Sequence, residues 1–156
     1  MKRIYKMKKY NVLLLNGPNL NMLGVREKEI YGNFKLKDLE KNCIIWAKKL
    51  GIMLDAKQTN SESKMVELIQ KSRDKYIAII INAGAYSHTS IAIADALETF
   101  EGLIYEVHIS NIYSRESYRH FSYISPLANG VICGAGKLGY EIAIDAIKDE
   151  INNFNN

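Results

Sequence analysis

The side chains able to do chemistry in this chain are amides, imidazoles, arginines and a tyrosine, and most of them follow apolar runs. Three such runs end in "NGPNLN", "NAGAYSH" and "HISN". Together they bring Asn16, Asn19, Asn21, Asn82, His88, His108, Ser110 and Asn111 to equivalent positions. None of the three stretches contains Lys, Asp or Glu, which suits a neutral or anionic polyhydroxy ligand better than a metal. Taken singly, each residue also fits ordinary turn chemistry: Asn and Gly favour tight turns, and Ser87 or His88 would cap a following helix.

Three pairs add geometry. Glu106 and His108 stand two apart in "EVH", so on a strand they share a face. A carboxylate beside an imidazole fixes its tautomer and favours the protonated ring, the form that acts as general acid; the alternative is a structural cross-strand pair. Arg26 and Tyr31 lie in "LGVREKEIYG", between Gly24 and Gly32, a segment long and charged for a simple connection. A guanidinium near a phenol favours the phenolate, which would make this pair a base; the alternative is a solvated loop with one anchoring aromatic. In "SRESYR", Arg115 and Arg119 are one helical turn apart and can face the same rim to hold a carboxylate, or pair with Glu116 at the surface.

Near the carboxyl end, "GVICGAGKLGYEIAIDAI" spells G-x-G-x-x-G at Gly134, Gly136 and Gly139, after an apolar run and before a helical one. A dinucleotide site also requires a further strand with an acidic residue roughly twenty positions on. The chain runs instead through one helical segment to "NNFNN". The glycines therefore read as a tight strand-to-helix turn that brings the last helix close to the sheet.

The elements that must position these residues follow from apolar periodicity. Strands are expected at 12–16, 52–59, 76–82, 103–110 and 130–133. Helices are expected from Leu36 to a stop at Gly51, after an N-cap at Ser61, over 90–100, and from Leu138 to about Ile151. Strand and helix alternate throughout, which calls for an α/β fold: a three-layer sandwich whose five-stranded parallel sheet is covered by helices on both faces. The flavodoxin-like order 2-1-3-4-5 is the commonest solution, and its ligands bind beyond the carboxyl ends of the strands. That is where the polar residues fall.

A chain of 156 residues fits a single domain, 1–156, with residues 1–8 as a disordered basic extension. Much of the net charge of +4 sits in "MKRIYKMKK", and no basic stripe interleaved with aromatics crosses the rest, so nucleic acid is not an expected partner. No apolar run is long enough for a membrane span and no signal-peptide core follows the basic start. Cys43 and Cys133 lie in apolar company and read as buried free thiols of a reducing compartment, hence a cytoplasmic protein. Neither a receiver domain's acidic cluster, a flavodoxin's Ser/Thr-rich phosphate loop nor a P-loop is present.

As a set, "LLLNGPNLNMLGVRE", "IYG", "IINAGAYSHTSIAIADAL", "EVHISN", "SRESYRHFSY" and "GVICGAGKLGY" resemble the type II 3-dehydroquinate dehydratases in order and spacing, over nearly the whole chain after Met7. The resemblance implies trans dehydration of 3-dehydroquinate to 3-dehydroshikimate through an enolate, without metal, cofactor or Schiff-base lysine. It implies Tyr31 as the base alpha to the ketone, with Arg26 holding its phenolate. Asn19 would place the water that steadies the enolate. His108 would act as the acid on the departing hydroxyl, oriented by Glu106. It further implies substrate contacts from Asn82, His88, Arg119 and the backbone amides of Ile109 and Ser110. Asp95 would be lent to a neighbouring subunit in a trimer, four of which form a homododecamer. Ala83, Ser87 and Ser63 stand where the family usually has proline, threonine and glycine; none is a proposed catalytic position. A non-catalytic flavodoxin-like module binding a small carboxylate is the competing class.

Overall fold

The computed structural model describes residues 10–155; the expected extension over residues 1–8 lies outside them. In chain order the elements are β1 (Tyr10–Asn16), a single helical turn α1 (Lys28–Tyr31), α2 (Leu36–Lys49), β2 (Ile52–Gln58), α3 (Glu62–Ser72), β3 (Ala78–Asn82), α4 (Ile91–Glu98), β4 (Leu103–His108), β5 (Gly130–Cys133) and α5 (Leu138–Asn155). All strand pairs are parallel and the order is β2-β1-β3-β4-β5, as expected of a flavodoxin-like sheet.

The two-residue period of each strand sorts its side chains between two cores. Val12 and Leu14 pack with Ile80, Val107 and the apolar faces of α2 and α5. Leu13 and Leu15 point the other way, to Ile79, Ile81 and the faces of α3 and α4. Every residue of β3 is buried, which explains why "AIIIN" is β-branched without alternation. Each of these fully buried isoleucines contributes roughly 1.5–3 kcal/mol, so the central strands form a stiff base for the loops at their carboxyl ends.

Where element ends differ from expectation, a local hydrogen bond gives the reason. β1 begins at Tyr10 rather than Val12 because Tyr10 and Asn11 continue the ladder opposite Ile52 and Met53. β3 starts at Ala78 because the Tyr76 amide turns back to the Ser72 carbonyl, 3.0 Å away, closing α3. The α4 helix is shorter than "SIAIADALETF": Ser90, not Ser87 or His88, is its N-cap through the Ile93 amide, and the Thr99 and Phe100 amides fall back on Ala96 and Leu97. At the other extreme, α5 continues past Ile151 to Asn155. Ser61 does cap α3, accepting from the Lys64 amide at 3.2 Å.

β4 stops at His108 instead of continuing to Ser110, and the glycine turn is the cause. The Gly134 and Gly136 amides donate to the carbonyls of His108 and Ile109, at 3.2 and 3.0 Å. Both glycines have positive φ, 80° and 60°, which few other residues adopt. A Cβ on Gly139 would come within 3.3 Å of both Ile132 and Val107, so its absence lets α5 lie close to the sheet. The amides that a pyrophosphate would need are thus committed to the end of β4.

Candidate active site

The carboxyl ends of β1, β3 and β4 open into a cleft of about 660 Å³, its open mouth included. Asn19 comes from the loop after β1, Arg26 and Tyr31 from the segment around α1, Asn82 and His88 from the end of β3, and His108, Ile109, Ser110 and Arg119 from β4 and beyond. The structure thus brings together nine of the expected site residues. Leu20, Leu23 and Ile112 supply apolar wall. Among the described residues, none that lines the cleft is acidic or a lysine, and Arg26, Arg115 and Arg119 all reach it. A small anion with several hydroxyls matches that lining.

Some expected rim residues lie elsewhere. Asn16 is fully buried beneath the cleft. Asn21 accepts from Gln58 at 3.4 Å, and Asn111 caps the turn Ile112–Ser114 through the Tyr113 amide. Asp95 lies exposed on α4, outside the cleft of its own chain. Glu106 does not line the cleft either; it stands one layer behind it.

The Glu106–His108 pair is held most tightly. His108 donates from Nε2 to Glu106 Oε1 at 2.8 Å, with both side chains buried. Glu106 also accepts from Ser122 Oγ at 2.6 Å and from Ser125 Oγ. Burial by itself pushes this carboxyl up, but the hydrogen bond and charge of His108 and the two serine hydroxyls outweigh it, and the group lies below the ordinary carboxylate range. Glu106 therefore stays an anion that accepts from Nε2–H, so His108 has only Nδ1 with which to give a proton. Ser122 and Ser125 belong to "SYRHFSYIS"; nothing in their spacing connects them to β4, and sequence reasoning missed them.

His88 stacks on His108, ring centroids 5.9 Å apart and 18° between planes. Its Nδ1 donates to the Phe121 carbonyl at 2.6 Å. Burial first, then the neighbouring His108 and Arg119, hold its pKa below the ordinary histidine value despite that carbonyl. A neutral His88 leaves Nε2 as an acceptor for a ligand hydroxyl.

The surroundings of Tyr31 differ from expectation. Arg115 Nη1 donates to the Tyr31 hydroxyl at 2.5 Å, with its guanidinium carbon 5.3 Å from the ring centroid. Arg26 stands over the same ring at 5.9 Å, but its Nε is engaged by Glu27 at 2.8 Å. The phenol contact expected of Arg26 is therefore made by Arg115, whose side chain is 10 % exposed against 38 % for Arg26. The two rim arginines do not share a helix as their spacing suggested, because Arg115 is extended between two short 3-10 turns, the second of which ends at Arg119. Arg119 lines the cleft and also makes the pair with Glu116, at 2.8 Å, that "SRESYR" offered.

The loop carrying Asn19 is pinned from β2. Gln58 Nε2 donates to the Gly17 carbonyl at 3.2 Å and to Asn60 Oδ1 at 3.0 Å. Asn60 Oδ1 in turn accepts the Asn19 amide at 3.0 Å, holding Asn19 at a φ of 66°. Ala83, the residue in proline's place, has a φ of −74°, a value proline itself adopts. Cys43 and Cys133 are both free thiols, although Cys133 is only half-buried; burial pushes Cys43 up to about 12.

A family model described as dehydroquinase class II matches residues 10–148. A 3-dehydroquinate dehydratase of Bartonella bacilliformis is 50% identical over 140 residues, 90% of this chain and 89% of the relative. The 3-dehydroquinate dehydratase 2 of Pseudomonas aeruginosa is 46% identical over 134 residues, 86% of this chain and 90% of the relative. Among solved structures, the type II dehydroquinase from Propionibacterium acnes superposes with a TM-score of 0.88 at 42% identity, covering 90% of this chain and 97% of that one.

Proposed function

The chain belongs to the class II dehydroquinases, and from that premise we propose that it dehydrates 3-dehydroquinate with Tyr31 as base and His108 as acid. The dehydration itself, a step of the shikimate pathway, is the family's reaction and this enzyme's. The residue roles are a reading of the cleft. It is carried by one observation: a phenol under a guanidinium and an imidazole under a carboxylate open into the same cationic, acid-free cleft.

Tyr31, as phenolate, takes the proton alpha to the ketone, and the electron pair of that C–H bond becomes the enolate. Arg115 holds the phenolate through Nη1, and Arg26 adds charge over the ring while Glu27 retains its Nε. Asn19 orients a water on the enolate oxygen. The enolate then expels the β-hydroxyl as His108 protonates it from Nδ1, giving water and the conjugated enone. Glu106, kept ionised by His108 and further by Ser122 and Ser125, stabilises the imidazolium before transfer and fixes the ring. Asn82, His88 and the amides of Ile109 and Ser110 take hydroxyls and carboxylate, and Arg119 supplies a cation for the latter. No step requires a metal or cofactor.

The reading extends to a cytoplasmic homododecamer, a tetramer of trimers, in which Asp95 serves a neighbouring cleft. Its support is the exposed position of Asp95 and the two unpaired thiols. The deciding experiment adds 3-dehydroquinate to the folded protein and follows the ultraviolet absorbance of the conjugated product. Steady growth is expected, and no signal from well-folded protein overturns the catalytic reading in favour of a carboxylate-binding module.

A further inference from the structure

Behind the cleft, on the sheet face opposite Glu106, four polar side chains form a line through the α2/α5 core. Asn82 Nδ2 donates to the Tyr140 hydroxyl at 2.8 Å. That hydroxyl donates to Asn16 Oδ1 at 2.9 Å, and Asn16 Nδ2 donates to Glu40 Oε1 at 3.1 Å. Tyr140 and Asn16 are fully buried and Asn82 is 4% exposed. An apolar side chain would fill this space without desolvating amides and a hydroxyl, so sheet packing does not account for the line.

Its direction is fixed from both ends. An amide can be seated either way round, but a carboxylate only accepts. Glu40 therefore draws Asn16 Nδ2 and turns Asn16 Oδ1 towards Tyr140. Tyr140 spends its single proton there and has only a lone pair for Asn82, so Asn82 must offer Nδ2. At the other end the Gly84 amide, which only donates, requires Asn82 Oδ1 at 3.2 Å. The two ends agree, and the second Nδ2 hydrogen of Asn82 is what remains for the cleft.

We propose that Tyr140 and Glu40 are positioning residues that seat the Asn82 amide donor-first towards a substrate oxygen. The inference rests on the reading of Asn82 as a substrate contact. Tyr140 and Glu40 line no part of the cleft; they act through Asn82, one directly and one through two intervening side chains.

A double-mutant cycle tests this, with kcat, KM and melting temperature measured for Asn82→Ala, Tyr140→Phe, Glu40→Ala and each of the latter two combined with Asn82→Ala. Tyr140→Phe should raise KM about five- to tenfold and Glu40→Ala about threefold, each with a smaller change in kcat. Neither should raise KM further once Asn82 is alanine, because no amide is then left to orient. A structural role would persist undiminished in the Asn82→Ala background, and that outcome overturns the proposal. So does an unchanged KM in both single variants while Asn82→Ala raises it. If Tyr140→Phe does not fold, Glu40→Ala, at the half-buried end of the line, completes the same cycle. An unchanged KM in Asn82→Ala overturns the substrate-contact reading itself, and the relay with it.

Discussion

Arg115 and Tyr31 lie 84 positions apart in the chain, yet the guanidinium of one donates to the hydroxyl of the other at 2.5 Å. The contact joins a single helical turn after β1 to an irregular segment after β4. It puts the cation on the oxygen proposed to serve as the base.

Removing that oxygen should abolish turnover while leaving the fold intact. Tyr31→Phe is expected to lower kcat about a thousandfold, within the usual range for loss of a general base, with substrate binding retained by calorimetry. Activity within tenfold of the parent enzyme excludes Tyr31 as the base.

The two arginines near Tyr31 can be ranked. Arg115→Lys should lower kcat on the order of tenfold or more, since an ammonium cannot reproduce the guanidinium fork. Arg26→Lys should cost less in the same assay. The reverse order assigns the phenolate partner to Arg26 and implies that it leaves Glu27 when substrate is bound.

On the acid side, Glu106→Gln replaces the obligatory acceptor with an amide that can present a donor to His108 Nε2. We expect kcat to fall on the order of a hundredfold. Ser122→Ala and Ser125→Ala should each give a smaller loss in the same direction. A serine variant as damaging as Glu106→Gln would mean that the hydroxyls do more than hold the carboxylate.

His88 makes stability depend on pH with a definite sign. The unfolded ring binds its proton near the ordinary value of 6.5, whereas the folded ring binds it only at lower pH. Between those two values the unfolded state holds more protons, so stability falls as pH drops below about 6.5 and levels off once the folded ring is protonated. Denaturant titrations at pH 5 to 8 should show this slope for the parent and a shallower one for His88→Asn. Equal slopes in both proteins would refute it.

If clefts are shared between subunits, Asp95→Ala and Tyr31→Phe damage different subunits of one site. Each homo-oligomer should be impaired, and mixing the two through partial denaturation and refolding should recover activity in hybrids. Mass measurement in solution gives the assembly directly. No recovery from hybrids shown to form would confine Asp95 to its own subunit.

Local pattern in the sequence is enough to specify the sheet, its helices and most of the cleft. Strand period and helix period are short-range, so "VLLLN", "AIIIN" and "LIYEVH" declare their burial, and parallel pairing follows from alternation with helices, whereas the order 2-1-3-4-5 was expected only as the commonest solution. Because a parallel sheet directs all its strand ends one way, Asn19, Asn82, His88 and His108 could be gathered before any coordinates. The pairing of Glu106 with His108 was legible for the same reason: the period of two fixes their common face.

What only the tertiary structure decided are contacts between segments whose relative placement no period encodes. "SRESYR" shows the helical spacing of two arginines, but its backbone is extended at Arg115 and turns into a short 3-10 helix only from Ser117, and Arg115 crosses to Tyr31. Ser122 and Ser125 reach Glu106 from a stretch without apolar rhythm, and Glu40 reaches Asn82 through side chains from β1 and α5. Apolar periodicity records which face of an element is buried; it carries no information on which polar atom meets which across the core. That pairing is set by the packing distances of the folded layers, and the folded layers alone determine it.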